Sequence, residues 1–214
     1  MTAPRRVSVP TPHGPAEVEV RGVRSARAAL LLGHGAGGST SAPDLQAVAE
    51  VAVAHRVSVG LVTQPYRVAG KRSTPRPPVL DEAWMEVVRH AAARTRGAFH
   101  GLPLIFGGRS SGARVACRCA RPGGAVGVLA LAFPLVPPQR AGSDRVPASR
   151  LPEIDGAGVP VLVVQGERDR FGVPRASKAS RREVVRIRGD HGLKADHDRL
   201  RAAVADWLER VLAL

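Results

Sequence analysis

Two adjacent serines lie between glycines in the stretch GGRSSGARVA, residues 107–116. Only Ser110 has a glycine two residues before it, Gly108, and another two residues after it, Gly112. This is the G-x-S-x-G pattern of a sharp turn between a strand and a helix, where the backbone approaches itself too closely for side chains at the glycine positions. The spacing predicts Ser110 as a nucleophile. It gives Ser111 the backbone N–H that faces a developing oxyanion.

Two residues far along the chain could activate such a serine. Asp169 follows the apolar run VPVLVVQG and His191 follows the run REVVRIRG, so each is expected just past the end of a strand. A histidine there can take the serine proton and return it to a leaving group, while an aspartate on its other nitrogen fixes the tautomer. Serine, aspartate, histidine is one of the known chain orders of a catalytic triad. Two acids and one base remain as alternatives: Asp190, Glu167 and His197.

A glycine-rich loop, LLLGHGAGG at residues 30–38, follows another apolar run. Its glycines free the backbone to donate N–H groups, and we predict that Ala36 supplies the second oxyanion donor, with Gly35 close by. We expect His34 to hold this loop by hydrogen bonds. A phosphate-binding loop is the alternative, but the G-x-G-x-x-G spacing is met only loosely and no acidic residue ends the next strand. The residues expected to contact a substrate are His34, Gly35, Arg67 and Arg109.

The elements that would position these residues alternate along the chain. Short alternating segments near the N-terminus predict an antiparallel hairpin, and continuous apolar runs such as LLLG are typical of strands buried on both faces. Amphipathic patterns lie between them, the clearest at residues 80–95, where acidic residues open a predicted helix. We therefore predict an α/β fold, with a mostly parallel sheet covered by helices on both faces, in a single domain over residues 1–214. Short helices are expected at residues 149–154 and 173–180.

The segment from residue 134 to 158 is rich in Pro, Arg and Gly and has no clear period beyond its predicted short helix. It is the longest predicted loop, and it is too short to hold a large lid. The sequence therefore predicts an open, shallow site that suits a small ester or a related acyl compound as substrate.

The charge of the chain is strongly positive. Its 214 residues include 32 Lys and Arg against 18 Asp and Glu, for a formal net charge of +14. The excess is scattered arginine, and aromatic residues make up only 3%, which argues against stacking on nucleic-acid bases. We attribute the charge to compositional bias and do not expect a nucleic-acid partner. A polyanion-binding surface remains the alternative, built from Arg67, Lys71, Arg72 and Arg76.

The cysteines and the hydropathy of the chain bear on its cofactors and on its location in the cell. Cys117 and Cys119 lie two apart on a predicted helix, so they point in different directions and cannot pair with each other. Neither has metal-ligand neighbours, and we expect no metal and no cofactor. No apolar run reaches the roughly 18 residues that span a bilayer, and the N-terminus lacks the apolar segment of a secretory signal. We expect a cytoplasmic protein, without a membrane partner, that is a monomer or a small homo-oligomer.

Several stretches of the chain resemble the small, lidless α/β hydrolases that are similar to dienelactone hydrolases, and in particular the subgroup containing NSL-complex subunit three and its small testis-expressed homologue. The resemblance implies an α/β-hydrolase fold, with Ser110, Asp169 and His191 at the triad positions. The chain departs from it where Ser111 replaces the bulky residue of the common S-M-G elbow. Some relatives serve in protein assemblies, so a non-catalytic scaffold is the alternative to a serine esterase. The stretches are LLGHGAGG, QPYRVAGKRSTPRPP, GGRSSGARVA, FPLVPPQR, VLVVQGERDRFG and DHGLK.

Overall fold

The computed structural model describes residues 4–93, 97–137 and 147–213, which form one sheet with helices on both of its faces. The strands are β1 (Arg5–Val9), β2 (Ala16–Arg21), β3 (Ala28–Gly33), β4 (Val57–Thr63), β5 (Leu104–Arg109), β6 (Gly127–Leu131), β7 (Val161–Gly166) and β8 (Arg182–Ile187). The helices are α1 (Pro43–Ala54), α2 (Pro65–Val68), α3 (Pro77–Ala93), α4 (Ser111–Ala120), α5 (Leu151–Asp155) and α6 (His197–Leu212).

The eight strands follow the order β1-β2-β4-β3-β5-β6-β7-β8. The hairpin of β1 and β2 is antiparallel, and β2 also pairs antiparallel with β4. All the remaining pairs are parallel. Strands β3 and β7 are buried along their whole length, as their continuous apolar runs predict for strands covered on both faces. The α/β fold class and the N-terminal hairpin are thus confirmed.

Two hydrophobic clusters cover the two faces of the sheet. Helices α1 and α6 contribute to one cluster, and α3, α4 and α5 contribute to the other. Helix α6 shows how the sequence pattern directs this packing. Its buried apolar residues recur at a helical spacing, so they share one face of the helix and all lie in the cluster formed with α1. These buried residues of α6 are Leu200, Val204, Trp207, Leu208 and Val211.

Two predictions about helices are wrong. Residues 173–180 form no helix, because the backbone N–H and C=O groups of Ser177 pair with those of Arg182 and make the tight turn that opens β8. Helix α3 begins at Pro77, earlier than predicted, so its first turn contains no acidic residue and the acidic residues come a turn later. Pro at the first turn supplies the helical φ and lacks only an N–H that the helix would not use.

The predicted loop between residues 134 and 158 falls partly on residues 138–146, which lie outside the described residues. In its described part the only helix is α5, which lies close to the short helix predicted at residues 149–154, so no helical cap is found there. Among the residues that the structure covers, no helix has both the length and the apolar character needed to cross a membrane.

The register of the parallel strands brings their carboxyl ends to one edge of the sheet. Gly33 at the end of β3 lies beside Gly108, and Arg109 at the end of β5 lies beside Leu131. Gly166 at the end of β7 lies beside the end of β8 in the same way. The loops that follow β3, β5, β7 and β8 therefore meet at this edge, where ligand sites of parallel sheets are found.

Candidate active site

Ser110 stands on the turn between β5 and α4. Its backbone has φ of 53° and ψ of −109°, a conformation that non-glycine residues rarely adopt and that costs on the order of 1–3 kcal/mol. The turn is held by a hydrogen bond of 2.9 Å from the Ser110 N–H to the carbonyl oxygen of Leu131 on β6. This strained turn presents the hydroxyl at the edge of the sheet.

The two glycines of the elbow have no room for a side chain. A Cβ on Gly108 would lie 2.6 Å from the carbonyl carbon of Gly112 and 2.7 Å from the carbonyl oxygen of Gly33. A Cβ on Gly112 would collide with the carbonyl oxygen of Gly33 and lie 2.8 Å from that of His34. Because these contacts are with backbone atoms, they cannot be relieved by rotating a side chain. The glycines thus let the start of α4 pack directly on the end of β3.

The structure brings the three predicted triad residues together. Nε2 of His191 lies 3.0 Å from Oγ of Ser110, and Nδ1 of His191 lies 2.8 Å from Oδ2 of Asp169. The Asp169 side chain is 0% exposed, whereas that of His191 is 19% exposed. Both distances are those of hydrogen bonds, so one imidazole connects a hydroxyl open to the edge with a carboxylate in the interior.

Donors from its own loop and strand hold the Asp169 carboxylate. The Phe171 N–H donates to Oδ1 at 2.9 Å, and Nε2 of Gln165 lies 2.7 Å from Oδ2. Nε2 of Gln165 also lies 3.0 Å from the carbonyl oxygens of Phe133 and Gly172, so this buried amide ties the loop of the acid to β7 and to the end of β6. The Phe171 ring packs edge-on against His191, with 4.6 Å between the centroids.

The alternative acids and base lie elsewhere. Glu167 is exposed, whereas Asp169 is buried. Asp190 turns its Oδ1 toward the N–H of Gly192, at 2.8 Å. His197 begins α6, and its Nε2 is buried rather than solvated, with no hydrogen-bond partner in the part of the chain that the structure describes.

The glycine-rich loop after β3 lies beside the nucleophile. A Cβ on Gly35 would be 3.6 Å from that of Ser110. The carbonyl oxygen of Gly35 accepts from the N–H of Gly38 at 3.1 Å and from Nδ1 of His34 at 2.8 Å. Since C=O and N–H point in opposite directions across a trans peptide, the N–H of Ala36 points away from these partners. The N–H of Ser111, the first helical residue of α4, also has no partner within its helix.

His34 lies beneath this loop as a neutral, hydrogen-bonded side chain. Its Nε2 accepts from the Gln64 N–H at 3.1 Å, so the proton of the ring is on Nδ1, which donates to Gly35. Burial lowers the pKa of His34, the hydrogen bond to Gly35 raises it in part, and the nearby charge of Arg67 lowers it further. His34 therefore supports the loop, and the hydroxyl of Tyr66 adds a bond of 2.8 Å to the carbonyl oxygen of Ala36.

Arg109, predicted as a substrate contact, is engaged with the protein itself. Its Nε lies 2.8 Å from Oδ2 of Asp44, whose side chain is only 3% exposed, and its Nη2 donates to the backbone carbonyl of His191 at 2.9 Å. Burial raises the pKa of Asp44, while the charge of Arg109 lowers it in part. Arg67 lies on α2, close enough to His34 to affect its pKa, and its Nη1 donates to the carbonyl oxygen of Lys71 at 3.2 Å.

The sequence prediction missed Gln165, Asp44 and Tyr66. Gln165 carried a signal, because it is the one polar side chain in the apolar run VLVVQ. Asp44 in the first turn of α1 and Tyr66, the single tyrosine, carried none. Among the described residues, no group of three or more His, Cys, Asp or Glu side chains is arranged to hold a metal ion.

Solved structures with this fold cover nearly the whole chain. Est1E from Butyrivibrio proteoclasticus is 14% identical, with a TM-score of 0.72 and coverage of 98% of this chain and 99% of that one. A lidless α/β serine hydrolase from Xanthomonas campestris is 18% identical, with a TM-score of 0.74 and coverage of 98% and 95%. A dienelactone hydrolase from Anabaena variabilis is 17% identical, with a TM-score of 0.72 and coverage of 98% and 99%. At such identities the likeness is one of fold.

No curated protein matches the chain. The family described as "Alpha/beta hydrolase domain" matches it over residues 26–209. This range includes the elbow, the glycine-rich loop and the loops of Asp169 and His191. Because the match spans most of the sequence, the chain belongs to the alpha/beta hydrolase family.

Proposed function

We propose that the protein is a serine hydrolase that cleaves a small ester or a related acyl bond with Ser110, His191 and Asp169. The observation that carries the proposal is the pair of hydrogen bonds made by one imidazole, 3.0 Å to Oγ of Ser110 and 2.8 Å to Oδ2 of Asp169. In this arrangement a histidine can remove the proton of a serine, and a buried carboxylate stabilises the imidazolium that forms.

In the first half of the reaction, Oγ of Ser110 attacks the substrate carbonyl while Nε2 of His191 takes its proton. The carbonyl oxygen becomes an oxyanion, which accepts hydrogen bonds from the backbone N–H groups of Ser111 and Ala36. The tetrahedral intermediate then collapses, and the bond to the leaving group breaks. His191 gives its proton to the departing oxygen or sulfur, and an acyl group remains on the serine.

In the second half, water takes the place of the alcohol or thiol. His191 removes a proton from the water, whose oxygen attacks the acyl carbonyl. A second tetrahedral intermediate collapses, the bond to Oγ of Ser110 breaks, and His191 returns the proton to that oxygen. The products are an acid and the free enzyme, and no cofactor takes part in the proposed cycle.

We propose further that the chain belongs to the dienelactone-hydrolase-like group and to the subgroup containing NSL-complex subunit three. The solved structures of a lidless serine hydrolase and of a dienelactone hydrolase support the group. The stretches QPYRVAG and FPLVPP support the subgroup. A single domain, a small-molecule substrate, a monomer or small homo-oligomer and a cytoplasmic location with reduced thiols belong to the same proposal.

Hydrolysis of p-nitrophenyl acetate by wild type and Ser110→Ala tests the function. We expect the variant to lose at least about a thousandfold in kcat/KM, since the nucleophile is gone. Ser111→Ala is the matched control, because it removes the neighbouring hydroxyl and keeps the backbone N–H. A Ser110→Ala protein with full activity would contradict the proposed function.

The alternative is a non-catalytic scaffold that keeps the elbow as a structural turn. A fluorophosphonate probe separates the two functions, because it bonds covalently only to an activated serine. We expect labelling of Ser110 in the wild type and none in Ser110→Ala or His191→Ala. A folded wild-type protein that never reacts with the probe would favour the scaffold.

A further inference from the structure

An open cavity of about 450 Å³ lies beside the catalytic histidine, on the loops that follow β7 and β8. Its position differs from that of Arg67 and Arg109, which the sequence suggested as substrate contacts. The cationic residues on its wall, Arg168, Arg170 and Lys194, come from the same two loops as Asp169 and His191. We call this feature the His191 cleft. It is lined by Arg168, Arg170, Asp190, His191, Gly192 and Lys194.

The charges of the His191 cleft are unbalanced. Arg168, Arg170 and Lys194 are exposed, and none of them has an ion-pair partner among residues 4–93, 97–137 and 147–213. The one carboxylate on the wall, Asp190, uses an oxygen to accept from the Gly192 N–H. By contrast, Arg109 near the same serine is already paired with a buried carboxylate. Among the described residues, the unpaired cations on the wall beside His191 therefore lie in this cleft.

Two of the cations contact residues that adjoin the catalytic histidine. The guanidinium carbon of Arg170 lies 4.8 Å from the centroid of the Phe171 ring, and that ring packs on His191 at 4.6 Å. The stem of Lys194 folds over Gly192, where a Cβ would lie 3.6 Å from Cγ of the lysine. Both contacts restrain long side chains that would otherwise be free, so their charges stay on the wall of the cleft.

The side of the serine on which the cleft lies determines which part of a substrate can enter it. His191 must give its proton to the leaving group, so the departing oxygen or sulfur has to approach Nε2. His191 also lines the cleft, so the rest of the leaving group can extend along the wall formed by Gly192 and Lys194. The acyl carbonyl oxygen is bound by the N–H groups of Ser111 and Ala36, which come from the loops after β5 and β3 and do not line the cleft.

We infer that the His191 cleft binds an anionic group, carboxylate or phosphate, on the alcohol or thiol leaving group of the substrate. Arg168, Arg170 and Lys194 are its specificity-determining residues. This inference rests on the proposed hydrolase function. It names the substrate class of that site as acyl esters or thioesters whose alcohol or thiol part carries a carboxylate or a phosphate.

Matched esters test whether the protein recognises an anion on the leaving group or on the acyl group of the substrate. Para-acetoxybenzoate and para-acetoxyphenyl phosphate carry the anion on the leaving group, and methyl para-acetoxybenzoate is their neutral counterpart. Monophenyl succinate carries the anion on the acyl side, with phenyl butyrate as its neutral counterpart. We expect kcat/KM to favour the anionic leaving groups by about tenfold, as a few partly exposed ion pairs would give. Equal rates within the first set, or a larger preference within the second, would overturn the inference.

Charge-neutralising variants test the named residues. In Arg168→Gln/Arg170→Gln/Lys194→Gln we expect the preference for the anionic leaving group to fall to about twofold or less. In each single variant we expect it to fall by about twofold. The control, Arg24→Gln/Arg121→Gln/Lys178→Gln, removes the same charge from exposed residues at the opposite end of the sheet. An equal loss in the control would mean that only the net charge acts, and would overturn the inference. Added salt should weaken the preference of the wild type.

The experiments distinguish an error in the cleft inference from an error in the proposed function. If Ser110 reacts with a fluorophosphonate and neutral esters are hydrolysed without any anion preference, the cleft inference alone is wrong. If Ser110 is inert, calorimetry still tests the cleft, because binding needs no turnover. Para-hydroxybenzoate should then bind at least about fivefold more tightly than its methyl ester, and the difference should vanish in the triple cleft variant. Equal binding would overturn the inference independently of activity.

Discussion

Nη2 of Arg109 donates a hydrogen bond of 2.9 Å to the backbone carbonyl oxygen of His191. The same guanidinium is paired with Asp44 of α1 at 2.8 Å. The residue immediately before the nucleophile therefore ties the loop of the base to a helix on one face of the sheet. Arg109 is a positioning residue in this arrangement, and its charge is paired with the carboxylate of Asp44.

Replacing Arg109 by leucine should destabilise the protein by about 3 kcal/mol, because a buried carboxylate at Asp44 would be left unpaired. The double variant Arg109→Leu/Asp44→Leu should recover part of that loss. Urea unfolding of the wild type, both single variants and the double variant measures the coupling. Losses that simply add in the double variant would contradict a buried pair.

Alanine at Gly112 should cost about 3 kcal/mol or prevent folding, because its Cβ would collide with the backbone of Gly33. Gly37→Ala is the control in the glycine-rich loop, since a Cβ there has nothing within 4 Å. Thermal unfolding compares the two variants. A Gly112→Ala protein as stable as Gly37→Ala would show that the elbow does not need the close approach described above.

Replacing Gln165 by leucine should lower kcat by about tenfold with little change in KM, because the Asp169 loop would lose the amide donor beside Oδ2 of Asp169 and the carbonyl oxygen of Gly172. Steady-state kinetics on p-nitrophenyl acetate measures this split. An unchanged kcat in the variant would contradict the contact.

His34 should make stability depend on pH. Its pKa in the folded protein is lowered by burial, so the unfolded chain binds more protons than the folded one between the lowered value and about 6.5. The free energy of unfolding should be highest above this window and fall as the pH drops through it. In His34→Gln that slope should be reduced. Urea unfolding from pH 5 to about 8 measures both proteins, and equal slopes would exclude His34 as the source.

Local patterns predicted the fold class well and some element boundaries poorly. Apolar runs such as that of β3 mark strands buried on both faces, and the glycine spacing around Ser110 marks a sharp turn, because both depend on neighbouring residues. The segment 173–180 was predicted as a helix and instead turns back on itself, since its backbone groups pair across a turn to Arg182. Propensity in so short a segment is outweighed by the pairing that begins β8.

The sequence by itself determined which residues could do chemistry and where each would lie relative to its own strand. It contained no signal for the pair of Arg109 with Asp44 or for the set of cations beside His191. Only the tertiary structure decided these contacts, because strand order and register set the distance between loops that are remote in the chain. Ser110 and His191 are 81 residues apart, and they meet because β5 and β8 end at the same edge of one parallel sheet.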